Sequence, residues 1–418
     1  MTKRIVAIGF IFICTSVAWF VLGATVFSRT YNSGFASDSR VESTWGTAQN
    51  QAPPTAAYVY VETKDQEVLD NSKKVIKKVE TQRMIDLPLE ASNINVDLDL
   101  QHRQKGLLWY STYKVGFRGS YTFRNTSDKE QSIHFELKFP TSQAIYDNLT
   151  FTVDGNAAEI TNKQNTAMAA VKVAAGKTTQ LTIGYNSQGL NEWRYSFGTT
   201  EVAQVRDFNL HMTTNFKDID FPDNTLSPTE KAASDKGWDL TWNYNNLLSG
   251  YQIAMTMPEK LQPGPLAGKI SFFAPVSLFF FFFLMLIITT MRGIELHPMN
   301  YFFLAAAFFS FHLLLAYLVD HISIHASFAI SAAVSIFLVI TYLRLVVGMR
   351  FASREAALAQ FIYLVMFSYA FFLKGFTGLA ITIGAIITLF VVMQVTGRIR
   401  WNEKFSGTPP SEPVVEPS

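Results

Sequence analysis

Six stretches of this chain are almost free of charge and long enough to cross a lipid bilayer. They fall at about 5–27, 270–290, 299–319, 326–347, 355–373 and 376–397. The hydrocarbon core needs about 20 apolar residues when each helical residue rises about 1.5 Å. A spanning segment must satisfy its own backbone polar groups, which makes each of these stretches a helix. Charged residues are only 16% of the 418, against about a quarter in soluble domains. The shortfall is local to these runs, and five consecutive phenylalanines at 279–283 suit lipid contact.

The first run follows Lys3 and Arg4. Its competing reading is a cleaved signal peptide, with LGA at 22–24 as a weak cleavage site. The run exceeds the roughly 7–15 apolar residues of a signal peptide, so a retained anchor is expected. Basic residues set the direction. With the N-terminus in the cytoplasm, Arg292, Arg350, Arg354, Arg398, Arg400 and Lys404 fall on that side, and only Lys374 lies in a short loop opposite. Both termini are therefore expected in the cytoplasm and the large segment between the first two runs outside the membrane.

That segment divides by composition. Residues 1–30 read as the anchor, 31–57 as a polar, Pro/Gly-broken linker, and 58–268 as an extracytoplasmic domain. From about 106 onward, alternating stretches such as LLWYSTYKVGFRGSYTF, SIHFELKF, TQLTIGY and GWDLTWNY predict short strands in an antiparallel sandwich or barrel. Asp154–Gly155 marks a tight turn. NSKKVIKKVETQ at 71–82 reads as a short basic helix or a charged edge strand, and a lipid-phosphate role stands against an ordinary solvated face. Residues 269–398 hold the five-span bundle, and 399–418 form a Pro-rich, acidic cytoplasmic tail expected to be disordered. The fold class expected is a multi-pass α-helical membrane protein, one N-terminal anchor plus a five-helix bundle, carrying an inserted all-β, sandwich-like domain.

Composition also excludes. A net charge of +2 gives no general attraction to nucleic acid. Cys14, the only cysteine, sits inside the first run, so no intrachain disulfide forms. GxSxG, the phosphate-binding loop, HExxH, the dinucleotide glycine fingerprint and CxxC are all missing from the sequence. No enzyme activity and no cofactor are expected.

The third run, with its rims, concentrates ionisable groups: Glu295, His297, His312, Asp320, His321 and His325. Distance separates them. His297 and His321 are 24 residues apart, about 36 Å at helical rise, the thickness of the membrane. Pro298 suits a first helical turn, where no hydrogen bond is lost. His297 then caps the helix or meets headgroups, and Asp320 and His321 end it in water. His312 is the one titratable residue at membrane depth. A functional role is the default hypothesis for such a group; the alternative is a neutral imidazole bonded to a neighbouring helix. His321 and His325 have metal-ligand spacing only if the helix continues, and DHISIHAS reads instead as a turn. Gly375, Gly378, Ala380, Gly384 and Ala385 read as a tight helix–helix contact, with pore lining as the alternative. Trp401, beside Arg398 and Arg400, fits an interface anchor.

RGIELHPMNYFFLAAAFFSFHLLLAYLVDH resembles the inner-membrane protein family CreD, whose members carry a similar HPM-plus-aromatic start and acidic–His end to this helix. TGRIRW at 396–401, RQKGLLWYSTYKVGFRGSYTF and MTTNF with GWDLTWNYNN also look similar. The chain departs from the pattern at Arg400, where an aspartate is usual, and at KGFTG between the last two spans. The resemblance implies a bacterial inner-membrane protein linked to envelope integrity and envelope stress. Carried over by position, His297, Pro298, Met299, Tyr301 and His321 match the motif, with Asp320 at its acidic place. Together with His312 these are the candidate functional residues.

The function expected is binding of an envelope component or membrane-protein partner by the outer domain, with the lipid bilayer as the other partner. The alternative is a transporter or channel whose outer domain collects substrate.

Overall fold

The computed structural model describes residues 2–70, 73–105, 108–198 and 203–397. The chain folds into two compact units. One gathers the residues up to Phe35 and those from Leu261 onward; the other holds Ala36–Lys105 and Trp109–Lys260. The tail, with Trp401 and the basic residues at 398, 400 and 404, lies outside the described residues.

The second unit is all β. Its eight-stranded sheet runs in the order β14 (Glu230–Ala233), β15 (Trp238–Ser249), β13 (Ala203–Thr214), β4 (Leu89–Lys105), β5 (Leu108–Arg124), β11 (Thr178–Leu190), β7 (Asp147–Val153), β8 (Asn156–Ala157). A five-stranded sheet follows the order β3 (Lys73–Asp86), β2 (Thr55–Asp70), β6 (Gln131–Lys138), β10 (Thr166–Val173), β9 (Thr161–Lys163), and a small third sheet the order β1 (Gln49–Gln51), β12 (Glu192–Tyr195), β16 (Ile253–Thr256). Side chains alternate across a strand. Ile94, Val96 and Leu98 of β4, Val115, Phe117, Tyr121 and Phe123 of β5, and Ile133, Phe135 and Leu137 of β6 thus all enter one core. Phe123 and Phe135 meet edge to face across the sheets at 5.8 Å. This is a sandwich whose described strand pairings are antiparallel apart from the parallel pairs β13–β4 and β1–β12. Two buried polar groups of the core find partners across it: the Tyr185 hydroxyl donates to Gln51 Oε1 at 2.6 Å, and Trp242 Nε1 to the Leu226 carbonyl at 2.8 Å.

The strands expected from 106 onward are present, and Asp154–Gly155 turns at positive φ (48° and 80°) between β7 and β8. Sheet structure begins earlier than the sequence suggested. Residues 31–57, expected as a linker, instead continue α1 (Thr2–Trp45) and supply β1 and the first residues of β2. Their polar composition suits a helix and strands exposed on one side as well as it suits a coil. The basic stretch at 71–82 is strand, not helix, from Lys73 onward.

Among the described residues, six helices in the first unit are long and apolar enough to span a membrane. They are the first part of α1 (Lys3–Asn32), α2 (Pro263–Arg292), α3 (Pro298–Leu318), α4 (Ile324–Val346), a fifth span (Phe351–Phe372) and a sixth (Thr377–Thr396). The fifth span is irregular. Two π-helical segments, Phe351–Ala356 and Phe361–Met366, flank the α-helical turn Ala357–Gln360, and a 3₁₀ turn at Ala370–Phe372 closes it.

The first span is part of this bundle and not a free tether. Ile8, Trp19, Leu22 and Val26 are buried among residues of α2 and α3. A Cβ added at Gly23 would fall 2.9 Å from the Phe272 ring, and one at Gly268 would fall 2.9 Å from the Phe27 ring. Glycine there lets α1 and α2 approach closely, as small residues do between membrane helices. The glycines singled out in the last two spans do something else. A Cβ at Gly378 or Gly384 would meet nothing within 4 Å. Ala380, Gly384 and Ala385 face an apolar cavity of about 440 Å³ between the fifth and sixth spans, so these small residues line a groove instead of a tight contact.

Candidate functional site

The third span carries the sequence motif, and the first span runs along it in the same direction. Three polar stations mark their seam.

At the end where both helices begin, His297 caps α3. Its Nδ1 accepts a hydrogen bond from the Met299 backbone N–H at 3.2 Å, and Pro298 takes the first helical position. Capping is one of the two roles expected for His297. Met299 is exposed, whereas Tyr301 is fully buried and meets Phe282 edge to face at 5.2 Å. The Tyr301 hydroxyl lies beside Thr289 of α2 and Arg4 of α1. Arg4 has two guanidinium nitrogens, Nε and Nη2, that are shielded and without a hydrogen-bond acceptor.

At mid-height, Trp19 of α1 stands edge-on to His312 (5.8 Å), Phe309 (5.2 Å) and Phe308 (6.5 Å). His312 is 1% exposed. Its Nδ1 is 3.2 Å from the carbonyl of Phe308 in its own helix. The expected bond to a neighbouring helix is not formed; what the neighbour offers is the edge of an indole. The reason is register: Trp19 fills the place opposite, and the nearest acceptor is the carbonyl one turn back. His312 Nε2, Trp19 Nε1, Ser331 Oγ and Gln360 Oε1 are all buried without a hydrogen-bond partner. Ser335 of α4 donates to the Ala307 carbonyl at 2.6 Å, and Gln360 Nε2 donates to Ser335 Oγ at 2.8 Å. A polar chain thus links α3, α4 and the turn between the two π segments. Single π turns inside helices are frequent at functional sites.

At the far end, Arg29 grips α3. Its guanidinium sits 3.0 Å from Asp320 Oδ2 and 3.3 Å from Oδ1, and it donates to the Ala316 carbonyl at 2.7 Å. That carbonyl belongs to the last turn of the helix, where intrahelical donors run out. Asp320 therefore does not simply end the helix in water, as the sequence suggested; it holds the first span. His321 is exposed in the turn beyond, and His325 packs its ring on Phe372 at 5.2 Å. Among the described residues no group of three or more His, Cys, Asp or Glu side chains is placed to hold a metal ion.

Sequence reasoning thus found the α3 side of the seam and missed Arg4, Trp19, Arg29, Ser331, Ser335 and Gln360. Trp19 carried a signal, since tryptophan favours the membrane interface and this one lies mid-span.

In the β unit, a separate cavity of about 520 Å³ is lined by Pro53, Pro54, Asp86, Tyr195, Phe197 and Arg206, among others.

The sequence model of the family described as inner membrane protein CreD matches residues 1–402. No curated protein matches the sequence. Solved structures with a similar chain path include a candidate nutrient-binding protein of Legionella pneumophila (9% identity, TM-score 0.34, covering 56% of this chain and 76% of that one). An M1 zinc metallopeptidase of Deinococcus radiodurans is a second (8% identity, TM-score 0.26, covering 41% and 42%). At those scores neither carries an argument about this chain.

Proposed function

The chain belongs to the CreD family of inner-membrane proteins, and from that membership and its geometry we propose that it supports envelope integrity by holding an envelope partner on its β domain. The domain is periplasmic in this reading, with both termini cytoplasmic. The basic residues at Arg292, Arg350 and Arg354 support that orientation.

One observation carries the binding reading. β2 pairs with β6 only from Thr55 to Tyr58, yet it pairs with β3 from Ala57↔Asp86 to Asp70↔Lys73. From Val59 to Met84 the two strands form a ribbon, roughly 40 Å long at strand rise, with no third strand on either side among the described residues. Two strands alone are marginal in water, and an open edge is a template for another chain. Proteins use such edges to add a partner's extended segment through main-chain hydrogen bonds. Asp86, Leu87, Thr55 and Ala56, at the root of the ribbon, also line the 520 Å³ cavity. The role is non-catalytic: the ribbon and cavity grip, and the bundle anchors.

The test is a full-length variant in which residues 60–83 are replaced by a two-residue turn. It should insert normally and fail to restore resistance to detergents and cell-wall antibiotics in a deletion strain. Full complementation would refute the reading.

A further inference from the structure

The fifth and sixth spans do not close on each other along their length. Val392 is the one buried residue of Thr377–Thr396, and the groove of about 440 Å³ runs between the two spans. Its back wall is Phe280 of α2, stacked on Tyr363 at 5.9 Å. We propose that this groove holds one acyl chain of a bilayer phospholipid.

The lining settles the chemistry of the occupant. Among the described lining residues, only Tyr363, Tyr369 and Thr388 carry a polar side chain. The Tyr363 hydroxyl donates to Thr388 Oγ1 at 2.9 Å, and Thr388 donates to the Gly384 carbonyl at 2.8 Å. Those two groups need nothing from a ligand. Tyr369 lies near the turn that joins the spans, where tyrosine suits the membrane interface. A carbon-lined space stays dry, and left void it forfeits dispersion contacts on every side. Its mouth opens on lipid: Met366, Tyr369 and Leu373 line the groove and are exposed on a helix long and apolar enough to cross the bilayer. The groove is thus continuous with the lipid-facing surface, and hydrocarbon enters it without leaving the membrane. No side chain of the protein competes, since even a Cβ added at Gly384 would meet nothing within 4 Å.

Length and closure select one chain of one leaflet. Tyr363 is the thirteenth of 22 residues in its span, and Thr388 the twelfth of 20 in its own. Their hydrogen bond therefore bridges the spans near the bilayer centre, and Thr388 is the lining residue of the sixth span farthest from the turn. Leu373, the last lining residue before the turn, is ten positions after Tyr363. At helical rise that is about 15 Å, half of a hydrocarbon core of about 30 Å. The helix of a second copy, about 10 Å across with its side chains, does not fit between two spans held together by that bond.

The test is made on the full-length protein in detergent, loaded with dipalmitoyl phosphatidylcholine and then washed. Retained lipid is counted by native mass spectrometry, and the wild type should keep one lipid after the wash. Gly384→Leu overpacks the groove and should lower retention about tenfold. Ala380→Leu, at the other end of the groove, should act in the same direction. Gly378→Leu, on the same helix and outside the lining, should leave retention unchanged. A melting temperature no lower than wild type shows that each variant is folded. Didecanoyl phosphatidylcholine, whose chains fall short of the leaflet depth, should be retained less than the dipalmitoyl lipid. Retention untouched by both groove variants, or reduced equally by Gly378→Leu, overturns the proposal. So does a dimer that Gly384→Leu dissociates, which would assign the groove to a second copy.

Discussion

Arg29 and Asp320 join the first and third spans by a two-pronged ion pair, with the same guanidinium also capping the Ala316 carbonyl. The contact spans 291 positions of sequence. It makes the N-terminal helix a structural member of a bundle whose other helices are all C-terminal to the β domain.

That pair is testable by a double-mutant cycle. Side chains exposed by 31% and 23% are partly solvated, so the coupling should be about 1 kcal/mol. Arg29→Gln and Asp320→Asn should each lower thermal stability in detergent, and the double variant should lose less than their sum. Additive losses would show that the two residues are not coupled.

Trp19 is 0% exposed and touches three side chains of α3. Trp19→Ala should destabilise the bundle by about 3 kcal/mol through the void it leaves. A first helix serving only as a tether would tolerate the change without a shift in melting temperature.

His312→Phe separates packing from chemistry. Nε2 has no partner, and replacing an unpaired buried polar group by an apolar one of similar shape is near neutral or stabilising. Melting temperature should hold or rise. If complementation of a deletion strain is then lost, the imidazole has a chemical role beyond packing.

Gly268→Val places a side chain against the Phe27 ring, where even a Cβ would be only 2.9 Å away. Overpacking of this kind should cost about 1–3 kcal/mol. The same change at Gly378, where nothing lies within 4 Å, should be silent, and equal effects at the two sites would contradict the packing described.

The β domain should unfold in alkali. Burial raises the phenol of Tyr146 from 10.0 to about 12, and desolvation also raises Tyr113, Tyr121, Tyr185 and Tyr195. The unfolded chain sheds these protons at lower pH than the folded one. Stability is therefore complete below pH 10 and falls as pH rises through about 12. Exposed tyrosines such as Tyr60 and Tyr251 contribute phenolate absorbance without unfolding, so the check is the remaining phenolate step, which should coincide with the loss of circular dichroism. Complete phenolate formation with circular dichroism unchanged would show that the buried tyrosines are accessible.

The sequence by itself determined the membrane spans, their boundaries to within a few residues, and the strands from 106 onward. In each case the cause is local: bilayer thickness sets a run length, and a sheet with one buried face sets a period of two. It also located the rims of α3, because Pro298 and His297 act within a single turn. Only the tertiary structure decided what those rims touch. Nothing near Asp320 in sequence names Arg29, and nothing near Tyr301 names Arg4, because helices meet through the register in which their surfaces pack. The long strands between 55 and 105 were hidden for a related reason. Beyond Tyr58 the two strands of the ribbon pair only with each other among the described residues, so no core on either side imposes an apolar alternation that the sequence could display.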